Sequence, residues 1–313
     1  MSVLIVGAGV TGLLFAQGLK RNSIPFAIYE AEEAATTIRG QRDWGMSIQW
    51  ALPLLQQILP EDLFKRLQTT SVDPHYVFPH DGNVMPVYNV ETGELVKSMP
   101  LVKMLRVSRR KFRALCAEGI DVKYAHVLTN TKETGTDLVC ASFDVMGSSC
   151  RDVEGALVVG ADGAHSALRS LAFQDWPEQG LAMRMPYIGI NTSVCYNDAA
   201  TAILIRESLS PVFAIGIHPR GYWLWISVQE VPDPSKRETW MFQLQWTWAP
   251  DNTPLGTAKP SLPILKAEAA ATFAESFRVA WLQIPDDAPI LPTMSQSGSL
   301  SYYRKHRFMG KKC

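Results

Sequence analysis

The sequence predicts an α/β protein in which a parallel-sheet domain carries an inserted antiparallel-sheet domain. Three observations predict this fold class. An apolar run, Ser2 to Val6, precedes a glycine-rich turn and a stretch with the apolar spacing of a helix. A second apolar run, ALVVGA, ends at Ala161 and also leads into a glycine turn. Beyond Ser170 the chain is rich in aromatic residues in short runs, which favour antiparallel strands.

The first glycine turn has the spacing of a dinucleotide-binding loop. Gly7, Gly9 and Gly12 form a G-x-G-x-x-G pattern between the strand and the helix. Such glycines let the chain turn, let the backbone approach a pyrophosphate, and let the helix pack closely on the strand. The phosphates then lie at the helix N-terminus, where unpaired N–H groups favour negative charge.

An acidic residue supports the same interpretation. The next apolar strand, FAIYE, ends in Glu30, 18 positions beyond Gly12. At that position a dinucleotide fold places the carboxylate that accepts hydrogen bonds from the ribose hydroxyls. The sequence therefore predicts a Rossmann-like domain with Gly7, Gly9, Gly12 and Glu30 as cofactor-binding residues.

The remaining elements follow in order. Residues 41–63 predict a turn and then an amphipathic helix that ends at Pro60, and turn signals between residues 73 and 97 predict hairpins. A helix with Ser108 as its N-cap and Gly119 after its end comes next, followed by strands up to Ala161. The region from 180 to 250 predicts strands. One helix over residues 266–284 and a polar, irregular tail from Pro289 complete the chain.

Composition limits the function classes. The chain has 313 residues, enough for two domains, and no uninterrupted apolar run of the ~20 residues that a membrane span needs. Its net charge of zero provides no field that would attract nucleic acid. The five cysteines are odd in number and scattered, which predicts reduced thiols, a cytoplasmic location and no metal site. We expect a small-molecule partner; the oligomeric state is open.

The second glycine turn carries a family resemblance. In GADGAHSALR, the residues Asp162, Gly163, Ser166 and Arg169 match a D-G-x-x-S-x-x-R segment that follows a buried strand. The chain resembles the class A flavoprotein monooxygenases, which share the para-hydroxybenzoate hydroxylase fold. It resembles especially the fungal salicylate-hydroxylase-like and secondary-metabolism members. The resemblance implies that Asp162 and Gly163 lie near the pyrophosphate of FAD.

Two weaker matches extend the resemblance. SRRKFRAL is similar to an Arg-x-x-Leu helix start in the family, which implies that Arg109 contacts the flavin. RDWGMSI is similar to the loop after the ribose-binding acid, which implies that Arg42 and Gly45 face the flavin. The domains that follow are an FAD-binding domain, 1–72 and 100–178, a substrate-binding sheet domain, 73–99 and 179–288, and a basic tail, 289–313.

The residues alone leave a structural alternative for each match. Asp162 could cap the helix that begins near Ser166, with Arg169 paired to it at the surface. Four arginines at the predicted helix start have a spacing that a solvated basic helix face would also show, so that at most one or two of them would be ligands: Arg106, Arg109, Arg110 and Arg113.

The resemblance implies an FAD-dependent monooxygenase that uses NAD(P)H and O2 to hydroxylate an aromatic or polyketide-like small molecule. Aromatic residues of the sheet region suit a planar substrate, although we expect most of them to be core residues. They are Tyr187, Tyr222, Trp223, Trp225 and Trp246. No catalytic residue can be assigned, and His218 is a lone histidine beside a strand.

One family feature is missing. The family has a Gly-Asp-Ala-Ala-His type motif whose aspartate meets the ribityl chain, and this chain has no Gly-Asp dipeptide. We therefore expect a C-terminally truncated product that binds the flavin ring poorly. Two other functions stay open: a non-catalytic flavin-domain remnant, and a flavin-dependent halogenase. The halogenase alternative rests on GYWLWIS, which is similar to a W-x-W-x-I-P element but has Ser227 at the proline position.

Overall fold

The computed structural model describes most of the chain. The described residues are 2–33, 43–77, 84–101, 104–135, 137–145, 150–181, 183–209, 212–249, 255 and 260–297. Arg42, which the sequence predicts to face the flavin, lies outside them.

The described strands, in chain order, are β1 (Val3–Val6), β2 (Phe26–Tyr29), β3 (Gly45–Ile48), β4 (Val84–Asn89), β5 (Leu95–Pro100), β6 (Leu105–Ser108), β7 (Val122–Lys123), β8 (His126–Thr134), β9 (Leu138–Val145), β10 (Arg151–Gly155), β11 (Leu157–Gly160), β12 (Met183–Cys195), β13 (Phe213–His218), β14 (Tyr222–Glu230), β15 (Met241–Trp248) and β16 (Leu291–Ser297). The described α-helices are α1 (Val10–Arg21), α2 (Leu52–Ile58), α3 (Glu61–Lys65), α4 (Arg109–Ala117), α5 (Ala167–Ala172), α6 (Pro177–Gly180), α7 (Ala199–Leu209), α8 (Leu262–Thr272) and α9 (Glu275–Leu282).

A parallel sheet forms the first unit, as predicted. Its strand order is β11-β1-β2-β7, and β1 pairs in parallel with both β11 and β2. On one face Ile5 packs with residues of α1 and α4 such as Leu13 and Phe112. On the other face Leu4 and Tyr29 pack against the three-stranded sheet β10-β9-β8. Burial on both faces explains why β1 is apolar at every position.

A seven-stranded sheet forms the second unit. Its strand order is β16-β12-β15-β14-β13-β4-β5, antiparallel except for the pair of β13 with β4. One face packs against helices α7, α8 and α9 in a core that includes Trp246, Phe277 and Trp281. The two-stranded sheet of β3 and β6 lies beside β14 and links the two units.

The predicted helix ends before Pro60, as expected: α2 ends at Ile58, and Leu59 has an extended backbone. Pro60 then precedes the first residue of α3. This fits the chemistry of proline, which has no N–H to lose at a helix start. Residues 45–48, expected in a turn, form a strand because β6 supplies a pairing partner.

The predicted helix over residues 266–284 is two helices. The break comes at Phe273, whose extended backbone turns its ring into the core against Trp246 and His218. The N–H of Ala274 then donates to the carbonyl of Val90 instead of continuing α8. Tertiary contacts therefore override a continuous helical pattern.

Two elements lie where the sequence prediction has none. Strand β16 falls within the tail that was expected to be irregular, and it pairs with β12. Helix α7 falls in a region expected to be strands only. The described cysteines Cys116, Cys140, Cys150 and Cys195 are free thiols. No described helix has the length and apolar character required to cross a membrane.

Candidate cofactor and substrate site

The two glycine turns meet at the carboxyl ends of β1 and β11. The N–H of Ala161 donates to the carbonyl of Val6 at 2.7 Å. Gly7 has a φ of +100°, and a Cβ at that position would lie 2.5 Å from the carbonyl oxygen of Ala161. The two loops therefore touch through their backbones, at the edge where open α/β sheets bind ligands.

The N-terminus of α1 faces space that no described residue fills. Gly9 is the N-cap of α1, no described side chain caps this helix end, and a Cβ on Gly9 would meet no described atom within 4 Å. A Cβ on Gly12, by contrast, would overlap the carbonyl oxygen of Gly7. Gly12 thus permits close packing inside the protein, whereas Gly9 leaves room outside it.

Glu30 is bound to the glycine loop. Its Oε2 accepts the N–H of Ala8 at 2.7 Å, and its Oε1 accepts the N–H of Glu32 at 3.0 Å. Each carboxylate oxygen retains a further lone pair for a ligand hydroxyl. The carboxylate is positioned by the same loop that ends β1.

Arg113 is a residue of this site that the sequence analysis did not assign. Its Nε donates to the carbonyl of Ala8 at 2.7 Å, and its Nη2 lies 4.0 Å from Oε2 of Glu30. The helical spacing of Arg113 by itself predicts a place on a basic helix face. The contact of Arg113 with the glycine loop becomes visible only in the folded structure, where α4 approaches that loop.

Replacing Glu30 tests this arrangement. We expect Glu30→Ala to destabilise the protein by about 1–3 kcal/mol, because the N–H of Ala8 loses its acceptor in a half-buried position. Glu30→Gln keeps an acceptor oxygen and should lose less stability, while both variants bind FAD more weakly. Thermal unfolding and FAD titration measure the two effects. Glu61→Ala at an exposed position is the control, and wild-type stability in Glu30→Ala would contradict the assignment.

The loop after β11 is held by its own polar side chains. Oδ2 of Asp162 accepts the N–H of Leu168 at 3.2 Å, so Asp162 caps α5 as the structural alternative proposed. Ser166 Oγ accepts the N–H of Arg169 at 2.9 Å. The second oxygen of Asp162, Oδ1, is buried and has no hydrogen-bond partner among the described residues.

Arg169 does not pair with Asp162. Its Nη2 donates to the carbonyl of Ala164 at 2.5 Å and its Nε donates to the carbonyl of Gly180 at 2.9 Å. These two hydrogen bonds of Arg169 hold the loop after β11 against α6. Gly163 is exposed and has a φ of +84°, and a Cβ there would meet no described atom within 4 Å, so the loop is open to a ligand at this point.

The two weaker matches lie side by side. Gly45 pairs with Ser108 across β3 and β6, and the N–H of Arg109 donates to the carbonyl of Trp44 at 3.0 Å. The guanidinium of Arg109 is half-buried and forms no hydrogen bond or ion pair with a described residue. The N–H of Gly45 donates to Oε1 of Gln229 at 2.8 Å.

The expectation of one solvated basic helix face is wrong for Arg106. Arg106 lies on β6, not on α4, and is only 2% exposed. Arg110 is exposed, with Asp43 and Glu230 each 3.8 Å away. The predicted N-cap at Ser108 already places the helix start at Arg109, so Arg106 lies before the helix.

Helices cover one face of the sheet in the second unit, and the described residues cover the opposite face only in part, where Met104 and Phe213 pack against Trp225. Tyr222 and Trp246 are buried on the face covered by helices, whereas Trp223 and Trp225 alternate to the opposite face. We call that side the open face. Its residues are Ile215 and Ile217 on β13, Trp223 and Trp225 on β14, and Gln245 and Thr247 on β15. Of the five predicted aromatic residues, two therefore lie on the open face; Tyr187 is 44% exposed on β12.

His218 has a structural role. Its Nδ1 accepts the N–H of Arg220 at 3.0 Å, and its Nε2 lies 3.2 Å from the carbonyl of Thr272. These partners assign the proton to Nε2 and leave neither nitrogen free.

The fold and the glycine loop define a dinucleotide-binding protein with a second, sheet-based unit. Residues 1–279 match the family model described as FAD binding domain. The chain belongs to this family and is an FAD-dependent monooxygenase, an oxidoreductase, as its curated relatives are.

The relatives include fungal proteins. The chain is 34% identical over 291 residues to the FAD-dependent monooxygenase phnB of Penicillium herquei, and 32% identical over 285 residues to the FAD-dependent monooxygenase cctM of Talaromyces islandicus. These alignments cover 92% and 91% of this chain and 68% of each relative. The structure of 2,6-dihydroxypyridine-3-hydroxylase from Arthrobacter nicotinovorans has the same fold, with a TM-score of 0.67, 17% identity, and coverage of 94% of this chain and 72% of that one.

Proposed function

We propose that this chain hydroxylates a planar aromatic or polyketide-like small molecule, with FAD as its cofactor, NAD(P)H as the reductant and O2 as the oxygen source. The observation that carries the proposal is the open face, which presents two indole rings beside amide and hydroxyl groups. Aromatic rings offer a large, rigid apolar contact to a planar ligand, and a few polar groups orient it. A cytoplasmic location is part of the proposal.

The described residues fit the adenosine and pyrophosphate end of FAD. The space beside Gly9 and the uncapped N-terminus of α1 suit a pyrophosphate. Glu30 would accept hydrogen bonds from ribose hydroxyls. The buried Oδ1 of Asp162 requires a donor, which a ligand hydroxyl or a water can supply. The guanidinium of Arg109 would contact the flavin, and Gly163 and Gly45 would lie at the same cofactor site.

The chain's own contribution to the reaction is positioning. When bound, FAD accepts electrons from the nicotinamide and activates oxygen. The glycine loop and Arg109 would hold the cofactor, and the open face would hold the substrate rings in a fixed plane. Holding the cofactor and the substrate in a fixed relative position turns a bimolecular reaction into an effectively unimolecular one. The rings of Trp223 and Trp225 would also exclude water from the substrate.

The first experiment is the visible spectrum and the FAD-to-protein ratio after gel filtration. Near-stoichiometric FAD would show that the flavin ring is held without the Gly-Asp motif, against the expectation of poor ring binding. Oxidation of NADPH or NADH should then rise when 1-naphthol, 1,8-dihydroxynaphthalene or a hydroxyanthraquinone is added. Label from ¹⁸O2 should enter the product. Retained FAD without any substrate-stimulated oxidation would instead support a non-catalytic binding protein, and chloride-dependent products would support a halogenase.

A further inference from the structure

Arg106 is a large polar side chain buried between the two units. It is 2% exposed, and its guanidinium makes four hydrogen bonds. Nη2 donates to Ser227 Oγ at 2.7 Å and to Gln243 Oε1 at 3.1 Å, Nε donates to the carbonyl of Val228 at 3.2 Å, and Nη1 donates to Ser47 Oγ at 3.3 Å. None of these acceptors is a carboxylate.

A buried charge without a counterion is costly. Burial lowers the pKa of Arg106 to about 9, which still leaves the guanidinium charged at neutral pH. Replacing such a group with a well-packed apolar residue is often neutral or stabilising in other proteins. A contribution to folding stability therefore does not explain why an arginine occupies this position. The directed hydrogen bonds of its guanidinium do explain it.

The hydrogen bonds of Arg106 connect two segments of the chain. We assign one of them to the flavin and the other to the substrate. On the flavin side are Ser47 and Gly45 of β3; a Cβ on Gly45 would overlap the guanidinium. The N–H of Gly45 shares the acceptor Gln243 Oε1 with Arg106. Arg106 therefore fixes the β3 segment against the end of the sheet.

On the substrate side, Arg106 holds a ring of the open face. Ser227 Oγ accepts from Arg106 and also accepts the indole N–H of Trp225 at 2.9 Å. The guanidinium carbon lies 5.4 Å from the centre of the Trp225 ring, and Phe213 stacks on that ring at 5.0 Å. Two donors on one hydroxyl and two contacts to one ring therefore restrain the orientation of the Trp225 indole.

We propose that Arg106 is a positioning residue that fixes the Trp225 ring of the open face relative to the β3 segment, and so sets where an aromatic substrate lies against the flavin. This inference rests on the proposed function for the location of the substrate. The link between Arg106 and Trp225 does not depend on the proposed function, and it can be measured in the protein without cofactor.

The first test is a spectroscopic double-mutant cycle on Arg106→Met and Trp225→Phe. We expect Arg106→Met to reduce the near-ultraviolet circular dichroism of the tryptophans, and to cause no such change when Trp225 is already phenylalanine. Ser227→Ala, which leaves the arginine in place, should reproduce the loss and serves if Arg106→Met does not fold. Arg66→Met, at an exposed ion pair with Glu118, is the control. An equal change with and without Trp225 would overturn the inference.

The second test uses 1-naphthol as the probe. We expect Arg106→Met and Arg106→Lys to bind it about tenfold to a hundredfold more weakly, with the FAD content unchanged and more hydrogen peroxide formed per NAD(P)H oxidised. Lysine keeps the positive charge but not the planar set of donors. If Arg106→Lys also binds the probe weakly, the geometry of the guanidinium, and not its charge, is what positions the ring. Full rescue by lysine, or unchanged probe affinity in Arg106→Met, would refute the positioning role. If the wild type binds no aromatic probe, the proposed function fails, while the spectroscopic cycle still decides the link to Trp225.

Discussion

Gly12→Ala is expected to abolish stable folding of the first unit, whereas Gly9→Ala is expected to fold and to lose FAD. A methyl group on Gly12 would overlap the carbonyl oxygen of Gly7, so either α1 or the loop must move. Overpacking of this kind costs about 3 kcal/mol or more when the obstacle is backbone. At Gly9 the methyl group would meet no atom of the described residues, and the φ of −69° is accessible to alanine.

The effect of Gly9→Ala should therefore appear only in cofactor binding. If the pyrophosphate lies beside Gly9, the added methyl group should weaken FAD affinity at least tenfold, a loss of about 1.4 kcal/mol. Thermal unfolding without FAD and fluorescence titration with FAD separate the two effects. Equal FAD affinity in the wild type and Gly9→Ala would place the pyrophosphate elsewhere.

Gly18→Ala is the matched control because it lies on the same helix. A Cβ there meets only a methyl group of Ile58 at 3.8 Å, an ordinary contact. Replacing a helical glycine with alanine should stabilise the protein by about 0.5–1 kcal/mol. A loss of stability in Gly18→Ala as large as that in Gly12→Ala would show that α1 tolerates no substitution, and would remove the argument from Gly12.

The second large effect is expected from the tryptophans of the two sheet faces. Trp246→Ala should destabilise the protein by about 3–5 kcal/mol, because the ring is fully buried. Its ring centre lies 4.7 Å from that of Phe273 and 5.0 Å from that of Trp281. For a chain of this length such a loss lowers the Tm by roughly 5–8 °C.

Trp223→Ala, on the neighbouring strand, is the comparison. Trp223 is half-buried on the open face, and its ring contact is with Trp225 at 6.2 Å. We expect a loss of about 1 kcal/mol or less in stability and a clear loss of affinity for 1-naphthol. Thermal unfolding and probe titration of both variants test the prediction. A Trp223→Ala variant that is as unstable as Trp246→Ala, or that binds the probe normally, would remove the open face as the substrate surface.

The class of fold and the family follow from the order of the amino acids. Gly7, Gly9 and Gly12 reveal the dinucleotide-binding fold because their spacing reflects local constraints: a turn, a close approach and a helix start within six residues. The segment from Asp162 to Arg169 carries the resemblance to the family. Ser108 as the cap of α4 is predictable for the same reason, and its Oγ does accept the N–H of Lys111. Such features depend on residues that are close in the sequence, so the sequence is sufficient to predict them.

Contacts between distant segments become visible only in the folded chain. Three partners of Arg106 lie on β14 and β15, and the contact of Arg113 lies on the glycine loop, more than 100 positions away in each case. The division of the tryptophans between two sheet faces depends on which face the helices cover. The break at Phe273 depends on a core pocket for its ring. Packing and burial set these outcomes, and a linear pattern does not record which strands will face each other.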